Sequence, residues 1–155
     1  MRITRTFSAL LALAALGAHD VVGQSAPYTE GSVWNLTFMR VKPAMGDRYL
    51  NDLRATLARS FAEAQRQGLI LSWKLLRASA ATRDDWDMMI MVEYRNMAAL
   101  DGLRERNEPI AQKIGATPEE RQAQAVARTE LREIIGSKLA RELVLRDSTV
   151  TRATK

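Results

Sequence analysis

The chain has 155 residues, 23 Lys and Arg against 18 Asp and Glu, one histidine and no cysteine. That length makes one domain, large enough to build a core without cross-links. The missing cysteine excludes disulfides, thiolate metal sites and cysteine nucleophiles; the net charge of +5 is spread along the chain, which argues against a nucleic-acid partner.

Residues 1–26 read as a secretory signal peptide. Arg2 and Arg5 are its basic start, and Phe7–Ala18 is an apolar run too short to span a bilayer comfortably. Cleavage after Ala18, Gly23 or Ala26 fits the small residues there; the alternatives are a retained anchor or a buried N-terminal helix. The expected product is periplasmic or secreted, and no later stretch is long and apolar enough to cross a membrane. The sole histidine, His19, lies in or beside this segment. Cleavage after Gly23 or Ala26 therefore leaves no histidine, and no serine-histidine triad can be built. Phosphate loop, dinucleotide fingerprint and zinc spacing are all missing, so neither metal nor cofactor is expected.

Val33–Val41 reads as the first strand, with Trp34, Leu36 and Phe38 on one face and Val33, Asn35, Thr37, Met39 and Val41 on the other. The sequon at Asn35-Leu36-Thr37 falls inside it and reads as chance. Pro43 closes the strand. Gly46 and Asp47 open a helix to about Gln67, with Tyr49, Leu50, Leu53, Leu57, Phe61 and Ala64 as its apolar stripe. Gly68 stands at the left-handed cap. A hairpin over Leu69–Arg95 follows: strand Leu69–Ser79, polar turn Ala80–Trp86, strand Asp87–Arg95. Asn96 caps a helix over Met97–Asn107, whose apolar side Ile110 and Ile114 continue beyond Pro109. After a break at Gly115-Ala116, Thr117-Pro118-Glu119-Glu120 is a capping box with proline at the first helical position. That helix is expected to run to Ile135, with Ala123, Ala127, Leu131, Ile134 and Ile135 inward and Gly136 ending it. Lys138–Arg146 reads as a last strand, and 147–155 as a disordered polar tail.

The order β-α-β-β-α-α-β predicts an α+β domain over 32–146, a four-stranded antiparallel sheet with its helices on one face. Both faces of its strands are apolar, so the face without helices needs cover, and a symmetric dimer supplies it. In element order and two-faced strands the chain resembles the dimeric α/β-barrel superfamily, with its ferredoxin-like protomer. That superfamily includes cofactor-independent oxygenases, stress-response barrel proteins and haem-degrading enzymes. The resemblance implies a homodimer with a pocket between sheet and helices for a small hydrophobic or aromatic molecule. The haem-degrading members use an Asn, a Trp and an axial His. Asn35 and Trp73 compare with the first two, but no histidine follows residue 19.

Three residues stand out as ligand contacts. Asn35 is polar in an apolar strand: a pocket amide, or an edge residue bonded to backbone. Trp73, like Trp34, either stacks on a ligand or anchors the core. Tyr94 and its neighbour Glu93 lie on opposite faces, so one of them faces the helices as a candidate proton-transfer group; the ordinary account of Glu93 is a salt bridge to Arg40 or Arg77. Trp86 is a lid or dimer contact at the turn. Met88, Met89, Met91 and Met97 form an adaptable apolar surface or plain core. Asp84, Asp85 and Asp87 cluster without a calcium-type loop and read as a solvated turn. These features support a binder of a small hydrophobic molecule, a cofactor-independent oxygenase or isomerase using the same pocket, or a protein-interaction module.

Overall fold

The computed structural model describes residues 26–114 and 117–146. The expected leader, apart from its last residue, the break at 115–116 and the tail at 147–155 lie outside the described residues. The elements are β1 Tyr28–Val41, α1 Gly46–Ala55, α2 Leu57–Arg66, β2 Ser72–Arg77, β3 Met88–Tyr94, a single 3-10 turn Met97–Leu100, α3 Leu103–Lys113, α4 Pro118–Thr129 and β4 Arg132–Leu145. The sheet is antiparallel in the order β2-β3-β1-β4.

β1 occupies the interior of the sheet and sorts its side chains by the two-residue period of a strand. Val33, Met39, Met88, Ile90, Val92 and Tyr94 lie buried toward the helices, where Tyr49, Leu53, Ala64, Ile70, Ile110 and Leu131 meet them. Register puts Trp34, Leu36 and Phe38 of β1 on the other side, beside Glu93, Met91 and Met89 of β3. Among the described residues no helix covers that side. Lys74 lies over the Trp34 ring at 5.4 Å and Lys138 over Phe38 at 6.0 Å.

The expected first helix is two helices. Thr56 leaves helical geometry (φ −119°, ψ −80°), and its hydroxyl donates to the Asp52 carbonyl at 2.6 Å. A β-branched residue bonding back to the preceding turn competes with the helix. Arg128 of α4 fixes the break, donating to Asp52 Oδ2 at 2.7 Å and to Thr56 Oγ1 at 2.9 Å. The expected helix over Met97–Asn107 also divides. Asn96 caps the 3-10 turn through the Ala99 N–H, and Gly102 at φ +61° starts α3, which then runs through Pro109.

The largest correction is at the C-terminal end. The capping box of Thr117 and Glu120 forms as expected, but α4 stops at Thr129, not Ile135. Ile134 and Ile135 belong to β4 and are exposed, and Gly136 lies within that strand opposite Phe38, beside a bulge. Pairing with β1 along nearly its whole length captures residues 132–137, and β-branched isoleucines suit a strand better than a helix. No residue of α4 is buried, so Ala123 and Ala127 do not point into the core as the helical pattern suggested; Leu131, just beyond it, does.

Met39 ties sheet to helix chemically as well as by packing: the Tyr49 hydroxyl donates to its sulfur at 2.8 Å, and both residues are almost fully buried. Met39→Leu keeps the volume but strands the phenol donor, and should cost about 1–3 kcal/mol in urea unfolding. Met39→Ala adds a cavity and should cost about 2–5 kcal/mol. A near-neutral Met39→Leu beside a costly Met39→Ala would assign the contact to packing alone.

Candidate functional site

Asn35, Trp73 and Tyr94 all lie on the helix-facing side of the sheet, yet they do not converge. Trp73, Val92, Asn35 and Leu139 form one row across the four strands. Buried Val92 stands between Asn35 and Trp73, which are two strand spacings, roughly 10 Å, apart. Asn35 is half-buried, lines no described cavity, and its amide makes no hydrogen bond among the described residues. Beside it Leu139 is 52% exposed, because α4 leaves β4 largely uncovered.

Trp73 closes a small apolar cavity of about 220 Å³ between α1, α2 and the β2 edge, lined by Leu50, Leu53, Leu57, Phe61, Leu75 and Ile90 among others. Its ring packs on Phe61 with centroids 5.4 Å apart. Trp73 therefore serves as a core anchor and as a cavity wall at once.

Tyr94 lines a larger cavity of about 550 Å³ between α2, α3, the start of α4 and the end of β3. Leu57 and Phe61 of α2 line both cavities and form the partition. The apolar lining of the larger one is Ala64, Ile70, Ile110 and Ala111; its polar lining is Ser60, Arg104, Asn107, Glu108, Arg121 and Gln122. Tyr94 is only 6% exposed, and its hydroxyl makes no hydrogen bond among the described residues. Burial raises the pKa of this phenol, because the anion would lose hydration. It stays protonated at neutral pH and acts as a donor. Glu108, the carboxylate of the cavity, is held by Arg121, whose Nη2 donates to both of its oxygens at 2.8 and 3.1 Å.

The other sequence candidates have structural partners. Glu93 faces away from the helices and accepts from Ser72, not from Arg40 or Arg77. Arg40 instead pairs with Glu133 and Asp84. Asp87 accepts from the Val41 N–H and Asp85 from the Ala81 and Trp86 N–H groups, so the acidic cluster is consumed in turn formation. Trp86 meets Phe38 edge-on with centroids 5.6 Å apart, on the side without helices. Sequence reasoning missed Arg104 and the Glu108–Arg121 pair. Only the approach of α2, α3 and α4 brings them to Tyr94, and no local pattern encodes that approach.

The sheet order, read from the other edge, is β4-β1-β3-β2, with the helical segments joining β1 to β2 and β3 to β4. That connectivity is the split β-α-β arrangement. The protomer is ferredoxin-like. No protein-family model and no curated protein matches the chain. Among solved structures it is similar to HapK from Hahella chejuensis, at 12% identity and a TM-score of 0.48 over 71% of this chain and 91% of that one. It is similar to a dimeric ferredoxin-like protein from an uncultured marine organism, at 11% identity and 0.45 over 77% and 99%. It is also similar to SnoaB, a cofactor-independent oxygenase from Streptomyces nogalater, at 19% identity and 0.34 over 78% and 98%.

The α2–α3 wall of the larger cavity is fastened by Glu63, which accepts from Arg66, Gln67 and, across the gap, Lys113 at 2.8 Å. The Arg66 guanidinium, the Lys113 ammonium and the Gln67 amide hold its carboxyl far below its ordinary value of 4.5. A depressed carboxylate contributes stability in full above its unfolded value and loses it as the pH falls toward the folded one. Glu63→Gln should therefore lower the melting temperature at pH 7, with the difference from the parent narrowing as the pH is lowered from about 5 to about 2. A difference independent of pH in thermal scans would show that the carboxylate charge is not what fastens α2 to α3.

Proposed function

We propose that the protein is exported, that it acts as a homodimer joined through the sheet face lacking helices, and that it binds a small hydrophobic or aromatic molecule beside Tyr94. The observation that carries the ligand reading is the cavity of about 550 Å³ lined by Tyr94, a largely buried residue whose hydroxyl has no hydrogen-bond partner among the described residues, and by apolar side chains of α2 and α3. Its volume falls within the common range for small-molecule sites, and its lining sets apolar side chains beside polar groups able to orient a ligand. The dimer reading is supported by the half-buried apolar row of Trp34, Leu36, Phe38, Met89 and Met91, on the sheet face turned away from the helices. A sheet face of that composition marks an interface in soluble proteins. Export is supported by the basic-then-apolar start of the sequence; among the described residues no helix is long and apolar enough to cross a membrane.

A cofactor-independent oxygenase or isomerase is the second reading, favoured by the same phenol, which is placed to donate a proton or hydrogen bond to a bound oxygen. It lacks a free base: Glu108 is paired with Arg121, and Tyr94 is held protonated. Binding without turnover accordingly fits the cavity better.

Native mass spectrometry of protein recovered from its exporting host reads processing, subunit count and retained ligand together. The expected species is a dimer of chains shortened by 18 to 26 residues, carrying added mass. A monomer overturns the interface, and full-length chains overturn export. Leu36→Glu, a charge at the centre of the bare face, should convert dimer to monomer in sedimentation velocity with the far-UV circular dichroism unchanged. Tyr94→Phe separates the two readings: it abolishes turnover in an enzyme and only weakens binding in a carrier.

A further inference from the structure

The cations around the larger cavity differ in one respect. Arg121 is held by Glu108, Lys113 by Glu63, and Arg106 by the carbonyls of Ala99 and Asp101. Arg104 lines the cavity and has neither a carboxylate nor a carbonyl partner among the described residues. It sits in the first turn of α3 (Leu103–Lys113). The helix dipole there disfavours a cation and favours an anion, so an anion beside Arg104 gains from the guanidinium and from the helix terminus together. Glu108, the one carboxylate of the lining, accepts from Arg121 and makes no hydrogen bond or ion pair with Arg104. Below this charge the surface is apolar, and Tyr94 supplies a hydrogen-bond donor. The cavity, about 550 Å³, is several times the roughly 150 Å³ void that admits one benzene ring, so it has room for a bicyclic or medium-chain body.

We propose that the Tyr94 cavity takes an amphiphilic carboxylic acid, its apolar body against Phe61, Ala64, Ile70 and Ile110 and its carboxylate at Arg104. This rests on the reading of that cavity as a ligand site, and adds the charge and the polarity of the ligand. The Tyr94 hydroxyl donates to an oxygen carried on the ligand body, which selects oxygenated over purely hydrocarbon acids.

The test uses the mature protein and two matched probes, 2-naphthylacetate and 2-naphthylethanol, titrated by calorimetry. The acid should bind about threefold to tenfold more tightly than the alcohol, the size expected of one charge pair at a wet rim. Arg104→Gln should bring the two affinities within about twofold by weakening the acid alone, and Arg104→Lys should restore part of the preference. Raising the salt from low to molar concentration should weaken the acid and leave the alcohol unchanged. Ala111→Trp, which fills the cavity from its half-buried wall, should abolish binding of both probes in protein whose circular dichroism is unaltered. Equal affinities for acid and alcohol, or a preference that survives Arg104→Gln, would overturn the carboxylate assignment while leaving the ligand site standing. Failure of both probes to bind, or binding that survives Ala111→Trp, would overturn the ligand site itself.

Discussion

The structure depends on what β1 does with its side chains. From Val33 to Met39 it is paired on both sides, with β3 and β4, so its side chains there alternate without choice between two faces. Val33 and Met39 go to the helices and are sealed there; Trp34, Leu36 and Phe38 go to the other side and are not. One strand thus builds the core on one side and presents an apolar row on the other. Burying the apolar helix stripe against one face offsets the ordering cost of the chain. The second face stays wet in the protomer, with Lys74 and Lys138 folded over its aromatic rings.

On the helix side the decisive feature is incomplete filling. Leu57 and Phe61 of α2 stand between two cavities, and the space on either side of them remains open. The break at Thr56, fastened by Arg128 to Asp52, sets the direction of α2 independently of α1. The Glu63–Lys113 contact sets its separation from α3. These polar fasteners at the periphery hold the helices without apolar side chains filling the interval between them. A cavity persists where a better-packed interface would have closed it.

How much of this was legible in the sequence follows from the range of each signal. Period-two alternation in β1 and β3, the Asn96 cap and the Thr117–Glu120 capping box are local, and the structure carries each of them. The failures are long-range. The helical pattern read through Ile135 is a local signal, and only the distant β1 draws residues 132–135 into a strand. The sequence left open which face of each strand meets the helices; the register puts Asn35, Trp73 and Tyr94 on that side. Their division among a row position, a small cavity and a large one depends on how α1, α2 and α3 sit above the sheet. Arg104 carried no local mark, since an arginine on a helix surface is ordinary until its neighbours are known.

The pairing of β1 with β4 joins the two ends of the described chain, with Tyr28 opposite Leu145. This gives the sheet a high contact order, and loop closure over most of the chain has to precede the reward of the ladder. A chain made from its N-terminus holds β1 open along one edge until residues 132–145 have been synthesised. Local structure, the β2–β3 hairpin and the capped helices, forms first, and the sheet closes last. Loss of the last three residues of β4 would leave Tyr28, Thr29 and Glu30, at the start of β1, without a strand partner.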